Sequence, residues 1–274
     1  MILIVTSSKD PAGLNIKKQI LKNYPFNETE ETYQENSVFY AELQGKQVRL
    51  ITLNEEAINA QYLSDDFSNL NLVVFISRHS SQSGTPTLSV HTPGNFGPAE
   101  LGGLPRNVSI SPATAMRDAL TALLRYGTDI SPKYEVSYEC THHGPSLNIP
   151  TMFVELGSSP LQWIDMDAAE TVAHATIEAI SKYGQTQNSV SLGIGGTHYN
   201  QRFTKMALEG KAIFSHMIPK YAMGYVDSEI LSQCVEKTAE KVDCAILDWK
   251  GLRSENKASL ISSLQEIRLP YVKI

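Results

Sequence analysis

Residues 71–77 read NLVVFIS, with five apolar side chains in a row between Asn71 and Ser77. An uninterrupted apolar run of this length is typical of a strand that is buried on both faces, as in sheets covered by helices. Outward from this stretch, strand-like runs alternate with helix-like runs along almost the whole chain. This order predicts a layered α/β fold with a largely parallel or mixed central sheet and helices on both faces.

The predicted elements follow from hydrophobic periodicity and from capping residues. The predicted strands span residues 2–5, 38–43, 47–53, 71–77, 134–141, 151–156, 189–194, 211–216, 244–249 and 271–274. The predicted helices span residues 12–23, 112–126, 165–183, 200–209, 227–241 and 254–267, and Asn54 is expected to cap a further short helix. Residues 80–111 hold nine glycines and prolines and are predicted to form a long functional loop. Because no linker or repeat separates these elements, a single domain over residues 1–274 is expected.

Composition excludes several classes of protein. The 274 residues are 42% hydrophobic and 19% charged, which excludes a mostly disordered chain. The formal net charge of −6 argues against a protein that coats DNA by bulk charge. Three cysteines without close spacing argue against a disulfide framework. The N-terminal MILIVTSSKDP resembles a strand and a loop rather than a leader, and no membrane segment is evident, so a cytoplasmic protein is expected.

The positions of the histidines point to a functional site. Six of the seven histidines end predicted strands or follow them directly, and Glu155 stands near the end of another strand. Since ligands of open α/β sheets bind beyond the carboxyl ends of the strands, several of these side chains are expected to meet at one edge. Imidazole and carboxylate groups suit both Zn²⁺ and general acid–base chemistry, and the spacing does not separate the two. The plainer alternative is that some of these histidines only bond to loop carbonyls. The strand-end histidines are His79, His91, His142, His143, His198 and His216.

Local features refine this expectation. His142 and His143 would point to opposite faces of a regular strand, so both reach one site only if the backbone turns at Gly144. Residues 193–196 form a glycine-rich turn, but the third glycine of a dinucleotide fingerprint is replaced by His198. Cys140 within an apolar strand is expected to be a buried inert thiol, and His174 in a helix is expected to be structural.

A set of short motifs occurs in one order along the chain. In order they read SRHSS (77–81), HTPGNFG (91–97), YECTHHGP (138–145), FVELGSS (153–159), GIGGTHY (193–199), LEGKAIFSH (208–216), PKY (219–221) and DWKG (248–251). Together they resemble the archaeal-type D-aminoacyl-tRNA deacylases, over essentially the whole chain. The resemblance implies a phosphorylase/hydrolase-like α/β fold and a cytoplasmic monomer that binds one or two zinc ions. It also implies hydrolysis of the ester that joins a D-amino acid to the 3′ end of tRNA, as a proofreading step before translation.

The resemblance suggests roles for the candidate residues. In the expected reaction, a water activated by zinc, by a histidine base or by both attacks the aminoacyl carbonyl. The catalytic candidates are His142, His143, His198 and Glu155, and the metal-ligand candidates are His79, His91, His142, His198, Glu155 and His216.

The substrate is expected to lie against the glycine-rich loops. Backbone N–H groups of Gly94, Gly144 or Gly196 are expected to hold the oxyanion, and Phe96 is expected to stack on the 3′-terminal adenosine. Further contacts are expected from Asn95, Gly195 and Thr197, with Arg106, Arg202 and Lys205 meeting tRNA phosphates.

Two other functions stay open from the residues alone. One is a zinc hydrolase for a small acylated or nucleoside-like substrate. The other is a non-catalytic module that binds the tRNA end, although such a module would favour arginine and aromatic side chains over clustered imidazoles.

Overall fold

The computed structural model of the protein describes residues 1–185 and 189–274. Within these residues the strands are β1 (Ile2–Ser7), β2 (Asn27–Tyr33), β3 (Asn36–Leu43), β4 (Lys46–Leu53), β5 (Leu72–Arg78), β6 (Thr87–His91), β7 (Gly94–Asn95), β8 (Asn107–Val108), β9 (Glu135–Tyr138), β10 (Thr151–Gly157), β11 (Val190–Ile194), β12 (Phe214–Ile218), β13 (Val242–Leu247) and β14 (Tyr271–Lys273). The α-helices are α1 (Pro11–Asn23), α2 (Leu63–Asp66), α3 (Ala113–Tyr126), α4 (Pro160–Trp163), α5 (Met166–Lys182), α6 (Gln201–Leu208), α7 (Ser228–Glu236) and α8 (Ser254–Glu266).

The larger sheet has eight strands in the order β2-β3-β4-β1-β5-β10-β6-β9. Strands β4, β1, β5 and β10 are parallel, and β5 is the apolar run 71–77, which is buried along both faces. Strand β6 runs antiparallel to β10, and β9 runs parallel to β6. The sheet is therefore mixed, and the predicted α/β fold with a largely parallel or mixed central sheet is confirmed.

The two faces of the larger sheet are covered differently. Apolar side chains such as Ile4, Val74 and Val154 pack under the long helices α1, α3 and α5. The alternate residues, among them Phe75 and Phe153, face a smaller core that is closed by α2 and by loops. Successive strand residues point to opposite faces, so Glu155 lies on the same face as Phe153, away from the long helices.

The smaller sheet has four parallel strands in the order β12-β11-β13-β14. Its core on one face includes Ile230 of α7 and Leu260 of α8. On the other face, Phe203 of α6 and Met217 of β12 join the same core cluster that lies under α1, α3 and α5. This shared core supports the expectation of one domain over residues 1–274, which stays a prediction.

Three details of the sequence-based prediction are wrong. Residues 80–111 are not one loop, because β6 lies within them and pairs with β10 and β9. The polar run Asn27–Tyr33 forms the edge strand β2, which no apolar alternation marks. Asn54 does not cap a helix; its Nδ2 donates to the Gln34 carbonyl, and a 3₁₀ turn begins only at Ala57.

Asp10 joins the first helix to the centre of the sheet. Its Oδ1 accepts a hydrogen bond from Gly13 N at the start of α1, and its Oδ2 accepts one from Arg78 N at the end of β5. Burial raises the pKa of the Asp10 carboxyl to about 6, against the opposing effect of these two hydrogen bonds. Asp10 is 4% exposed, so the N–H groups of Gly13 and Arg78 lose this acceptor, with little access to water, if the side chain is removed.

We expect Asp10→Ala to lower the free energy of unfolding by about 1–3 kcal/mol, because two backbone N–H groups are left without an acceptor. Urea unfolding at pH 7 measures this change. Asp227→Ala is the matched control, since Asp227 also caps a helix but its side chain is 54% exposed. An equal or larger loss in the control variant would contradict the bridging role of Asp10.

Candidate active site and metal centre

The candidate site lies where the two sheets meet. Beyond β9, Cys140 N donates to the His198 carbonyl at 2.9 Å, and Asn200 N donates to the Tyr138 carbonyl at 3.3 Å. One residue further on, Thr141 N donates to the Met217 carbonyl of β12 at 3.0 Å. The segment after β9 therefore extends the edge of the larger sheet against the strand ends of the smaller sheet. Side chains from both sheets converge at this seam.

Three imidazoles form one compact group. The rings of His142 and His143 are 4.3 Å apart, and they lie 4.3 Å and 4.9 Å from the ring of His91, measured between centroids. Both neighbours reach His91 because His143 takes a left-handed backbone conformation with φ of 44°. The predicted backbone turn is thus present. Gly144 makes it possible, since a Cβ there would lie 2.2 Å from Gly103 N.

This group, the imidazole trio His91, His142 and His143, fits a zinc ion. Nδ1 of His142 bonds to the Cys140 carbonyl at 2.8 Å, and Nδ1 of His143 bonds to the Gly144 carbonyl at 2.7 Å. A carbonyl accepts only from N–H, so both Nε2 atoms carry a lone pair. Both ring nitrogens of His91 are buried without a hydrogen-bond partner in residues 1–185 and 189–274. Unpaired buried nitrogens are costly in the absence of a ligand, and one ligand nitrogen from each ring lies within 4.8 Å of the others.

The protonation states of His142 and His143 agree with this fit. Burial, together with His143 and His91 nearby, holds the pKa of His142 well below its ordinary value. Burial and the neighbouring His91 lower the pKa of His143 to about 4. Both rings are therefore neutral at physiological pH, as metal ligands must be.

Next to the trio lies a chain of alternating charges, Glu155–His79–Glu139–His198. Nδ1 of His79 lies 3.3 Å from Glu155 Oε2 and 3.1 Å from Glu139 Oε1. The other oxygen of Glu139 lies 2.7 Å from Nε2 of His198. Glu139 is fully buried and Glu155 is 4% exposed. Two buried carboxylates alternate here with two imidazoles, so this charged chain is balanced if both imidazoles are protonated.

The pKa shifts support that assignment. Burial alone would lower the pKa of His79, but the carboxylates of Glu139 and Glu155 raise it to about 12. His198 behaves alike: burial is outweighed by Cys140 and Glu139, and its pKa rises to about 10. Burial would raise the pKa of Glu139, yet the hydrogen bond from His198 and the nearby charge of His79 hold it well below its ordinary value. Burial would raise the pKa of Glu155, but His79 outweighs it and lowers this pKa to about 2.

Two tyrosine hydroxyls contact the two imidazoles of this charged chain. The Tyr199 hydroxyl lies 2.5 Å from Nε2 of His79. The Tyr221 hydroxyl lies 3.0 Å from Nδ1 of His198 and 3.2 Å from Cys140 Sγ. Both protonated imidazoles thus donate to a phenol oxygen.

The seam therefore brings together six of the residues that the sequence singled out: His79, His91, His142, His143, His198 and Glu155. The sequence reasoning missed Glu139, Tyr199 and Tyr221, and it read Cys140 as inert although its thiol borders the site. The sequence carried no signal that singles out Glu139, because the stretch YEVSYEC also contains Glu135, which is exposed whereas Glu139 is buried.

His216 does not join the site, so the expectation that it binds metal is wrong. The ring is fully buried, with Nδ1 3.2 Å from Thr141 Oγ1 and Nε2 2.8 Å from the Lys237 carbonyl. Both nitrogens are occupied, which leaves no atom for an ion. His174 is also remote from the site and bonds to the Tyr24 hydroxyl, in keeping with a structural role.

Two of the three expected oxyanion donors, Gly94 and Gly144, are wrong. Gly94 N donates to the carbonyls of His142 and His143, and Gly144 N donates to the Leu101 carbonyl. Neither N–H group is free for an oxyanion. Gly195 and Gly196, with φ of 109° and 79°, form the turn after β11, and Thr197 Oγ1 donates to the Tyr199 carbonyl.

The remaining substrate-binding candidates contact other residues of the protein. Phe96 is 5% exposed and packs in the core of the smaller sheet, so it cannot stack on a base. Asn95 Nδ2 donates to the carbonyls of Gly102 and Leu104. The three candidate cations have acidic partners: Arg106 pairs with Asp227 and Glu229, Arg202 pairs with Asp248, and Lys205 lies 3.9 Å from Glu209.

The mixed α/β fold and this seam of carboxylates, imidazoles and phenols define an enzyme with a hydrolytic type of site. Comparison with known proteins gives its family. The family model described as D-aminoacyl-tRNA deacylase matches residues 66–272. The chain belongs to the D-aminoacyl-tRNA deacylase family.

Similar proteins cover the chain fully. The D-aminoacyl-tRNA deacylase of Pyrococcus horikoshii is 35% identical over 281 residues, which span 100% of both chains. The D-aminoacyl-tRNA deacylase of Methanosarcina barkeri is 34% identical over 99% of this chain and 89% of its own. A crystal structure described as a conserved protein of unknown function has a TM-score of 0.88 at 30% identity, covering 100% of this chain and 95% of its own. In the described ranges, none of the helices combines the length and apolar character that crossing a membrane requires.

The buried His216 yields a prediction about pH. Burial lowers the pKa of His216 from 6.5 to about 4 in the folded protein. Between these values the unfolded chain binds a proton that the folded chain does not, so stability present above pH 6.5 is lost as the pH falls. Asparagine does not titrate in this range, and its amide group still pairs with Thr141 and Lys237. Between about pH 7 and 4.5, we therefore expect the free energy of unfolding of His216→Asn to fall by about 2 kcal/mol less than that of the wild-type protein. Urea unfolding of both proteins with chelator present measures this difference, and parallel pH profiles would contradict it.

Proposed function

We propose that the protein hydrolyses the ester bond between a D-amino acid and the 3′ end of tRNA, and so clears mischarged D-aminoacyl-tRNA. The observation that carries the proposal is the imidazole trio, in which His142 and His143 are neutral, beside the charged chain at the seam of the two sheets. Family membership supports the same substrate class, because the relatives are named D-aminoacyl-tRNA deacylases. We further propose a cytoplasmic monomer, in line with its expected role before translation.

One zinc ion would be held by His91, His142 and His143, the trio whose unpaired nitrogens fit it. When bound, the ion supplies Lewis-acid polarisation of the ester carbonyl and activation of water. Three of the metal ligands expected from the sequence, His79, His198 and Glu155, are left out of this proposed site. His79 contacts both Glu155 and Glu139, and His198 contacts Glu139. Their charges are balanced without a metal ion.

His198 is the proposed general acid. Its side chain is 31% exposed, and the buried Glu139 behind it orients the ring and keeps it protonated. When water adds to the carbonyl carbon and the ester C–O bond breaks, the departing 3′-oxygen needs a proton. The Nδ1–H of His198, on the side of Tyr221, supplies that proton, and the proton lost by the attacking water protonates the His198 imidazole again at the end of the reaction.

Tyr199 is the proposed donor to the oxyanion. Its oxygen accepts from Nε2–H of His79, which leaves the phenolic O–H to donate. A phenol that accepts from an imidazolium is polarised toward donation, and the two carboxylates keep His79 charged. Tyr199 takes the place of the backbone N–H groups expected from the sequence.

The decisive assay is tyrosine release from D-Tyr-tRNA and L-Tyr-tRNA. We expect rapid hydrolysis of the D-ester alone, loss of activity after complete removal of metal, and recovery with Zn²⁺. D-selective hydrolysis that survives metal removal would keep the substrate and overturn the zinc assignment. No hydrolysis of either ester by folded, zinc-loaded protein would overturn the proposed function and leave a small acylated substrate as the alternative.

His142→Ala tests the imidazole trio. We expect this variant to lose bound zinc and at least about a hundredfold in kcat/KM, because a ligand is removed rather than a group that orients one. Elemental analysis after dialysis and D-Tyr-tRNA hydrolysis are the two measurements. His174→Ala is the matched control, since its ring lies on α5 and bonds to Tyr24. A variant at position 142 that keeps both zinc and activity would contradict the assignment.

A further inference from the structure

Tyr221 presents an exposed aromatic ring at the mouth of the site. It lies in the 3₁₀ segment Lys220–Tyr225 directly after β12, and the residue is 60% exposed. Its hydroxyl is nonetheless held at the site, between His198 Nδ1 and Cys140 Sγ. A ring that is fixed at its polar end and open on its face has little conformational entropy left to lose on binding. It is therefore suited to stack on a planar group.

We propose that the ring of Tyr221 is the stacking surface for the terminal base of the tRNA 3′ end. This inference rests on the proposed function. The scissile ester is attached to the ribose of that same terminal nucleotide, so its base and its 3′-oxygen are one sugar apart. Tyr221 spans the same two positions. Its hydroxyl contacts the proposed acid His198, which would protonate the 3′-oxygen, and its ring extends outward, where the base would lie. Sequence reasoning assigned stacking to Phe96, which is buried in the core.

Basic side chains beside Tyr221 complete a single-strand binding surface. Lys220 and Lys250 are exposed, and neither has a carboxylate oxygen within 4.0 Å in the ranges 1–185 and 189–274. They follow β12 and β13, the parallel strands on either side of β11, so they stand at the same edge of the smaller sheet. Lys220 N also donates to the Gly196 carbonyl in the turn after β11. Aromatic stacking beside unpaired lysines is the usual means of binding single-stranded ends.

Tyr221→Leu and Tyr221→Phe separate the ring from the hydroxyl. The leucine variant should raise KM for D-Tyr-tRNA about tenfold, and should weaken binding of an uncharged acceptor minihelix ending in CCA to a similar extent. The phenylalanine variant keeps the stacking face, so its minihelix affinity should change less than about twofold, while kcat falls because His198 loses its hydroxyl partner. Tyr221→Trp should restore minihelix affinity, which controls for misfolding of the leucine variant.

A minihelix that lacks only the terminal base closes a double-mutant cycle. Wild-type protein should bind this abasic minihelix about tenfold more weakly, whereas the leucine variant should bind both minihelices equally. Wild-type affinities that do not depend on the terminal base, or equal losses in the leucine and phenylalanine variants, would overturn the proposal. The binding measurements need no turnover. Failure of D-Tyr-tRNA hydrolysis would therefore count against the proposed function and not against stacking.

The lysines have a separate readout. Lys220→Ala and Lys250→Ala should each reduce the slope of log Kd against log salt by about 0.7, the value for one phosphate contact on a single strand. Lys18→Ala is the matched control, because Lys18 is equally exposed on α1 of the other sheet and should leave the slope unchanged. Unchanged slopes in the first two variants would remove the lysines from the proposed surface.

Discussion

The structure of the site depends on one buried carboxylate, Glu139. This residue is fully buried, and its two oxygens face His79 and His198 at 3.1 Å and 2.7 Å. An ionised carboxylate without partners would be strongly unfavourable at such depth, so both imidazoles must stay close and protonated. His79 follows β5 of the larger sheet, whereas His198 follows β11 of the smaller sheet. The electrostatics of one residue therefore join the two sheets at the point where chemistry is expected.

Neighbouring histidines of the same site take opposite protonation states, although burial favours the neutral form of each. His142 and His143 lack a carboxylate close enough for a hydrogen bond to the ring, and burial keeps them neutral. His79 and His198 are paired with carboxylates, which outweigh burial and keep them charged. The same residue type thus provides metal ligands on one side and proton donors on the other. The separation follows from which rings Glu139 and Glu155 can reach.

Sequence patterns predicted the interior of the fold better than its edges. The stretch 71–77 was correctly assigned as a strand buried on both faces, because both faces of β5 are covered and positions 72–76 all carry apolar residues. The edge strand β2 was missed, because its exposed sequence NETEETY carries no buried face. Strand β6 was missed among glycines and prolines, and because it runs antiparallel to β10, the expectation that parallel strands bring their ends to one edge does not apply to it. His91 is instead opposite Phe153 in the middle of β10, where it faces Glu155 from the side.

The sequence by itself determined the alternating α/β order, the family resemblance and six of the residues that gather at the site. These follow from local patterns: the apolar periodicity of each element, and chemically distinctive residues at strand ends. Only the tertiary structure decided that Glu139, Tyr199 and Tyr221 belong to the site, that His216 and Phe96 do not, and that the expected cations are already paired. Apart from the local pair of Lys205 and Glu209, those outcomes depend on contacts between residues far apart in the chain, and burial or a neighbouring charge at such a contact decides whether a side chain binds, titrates or only packs.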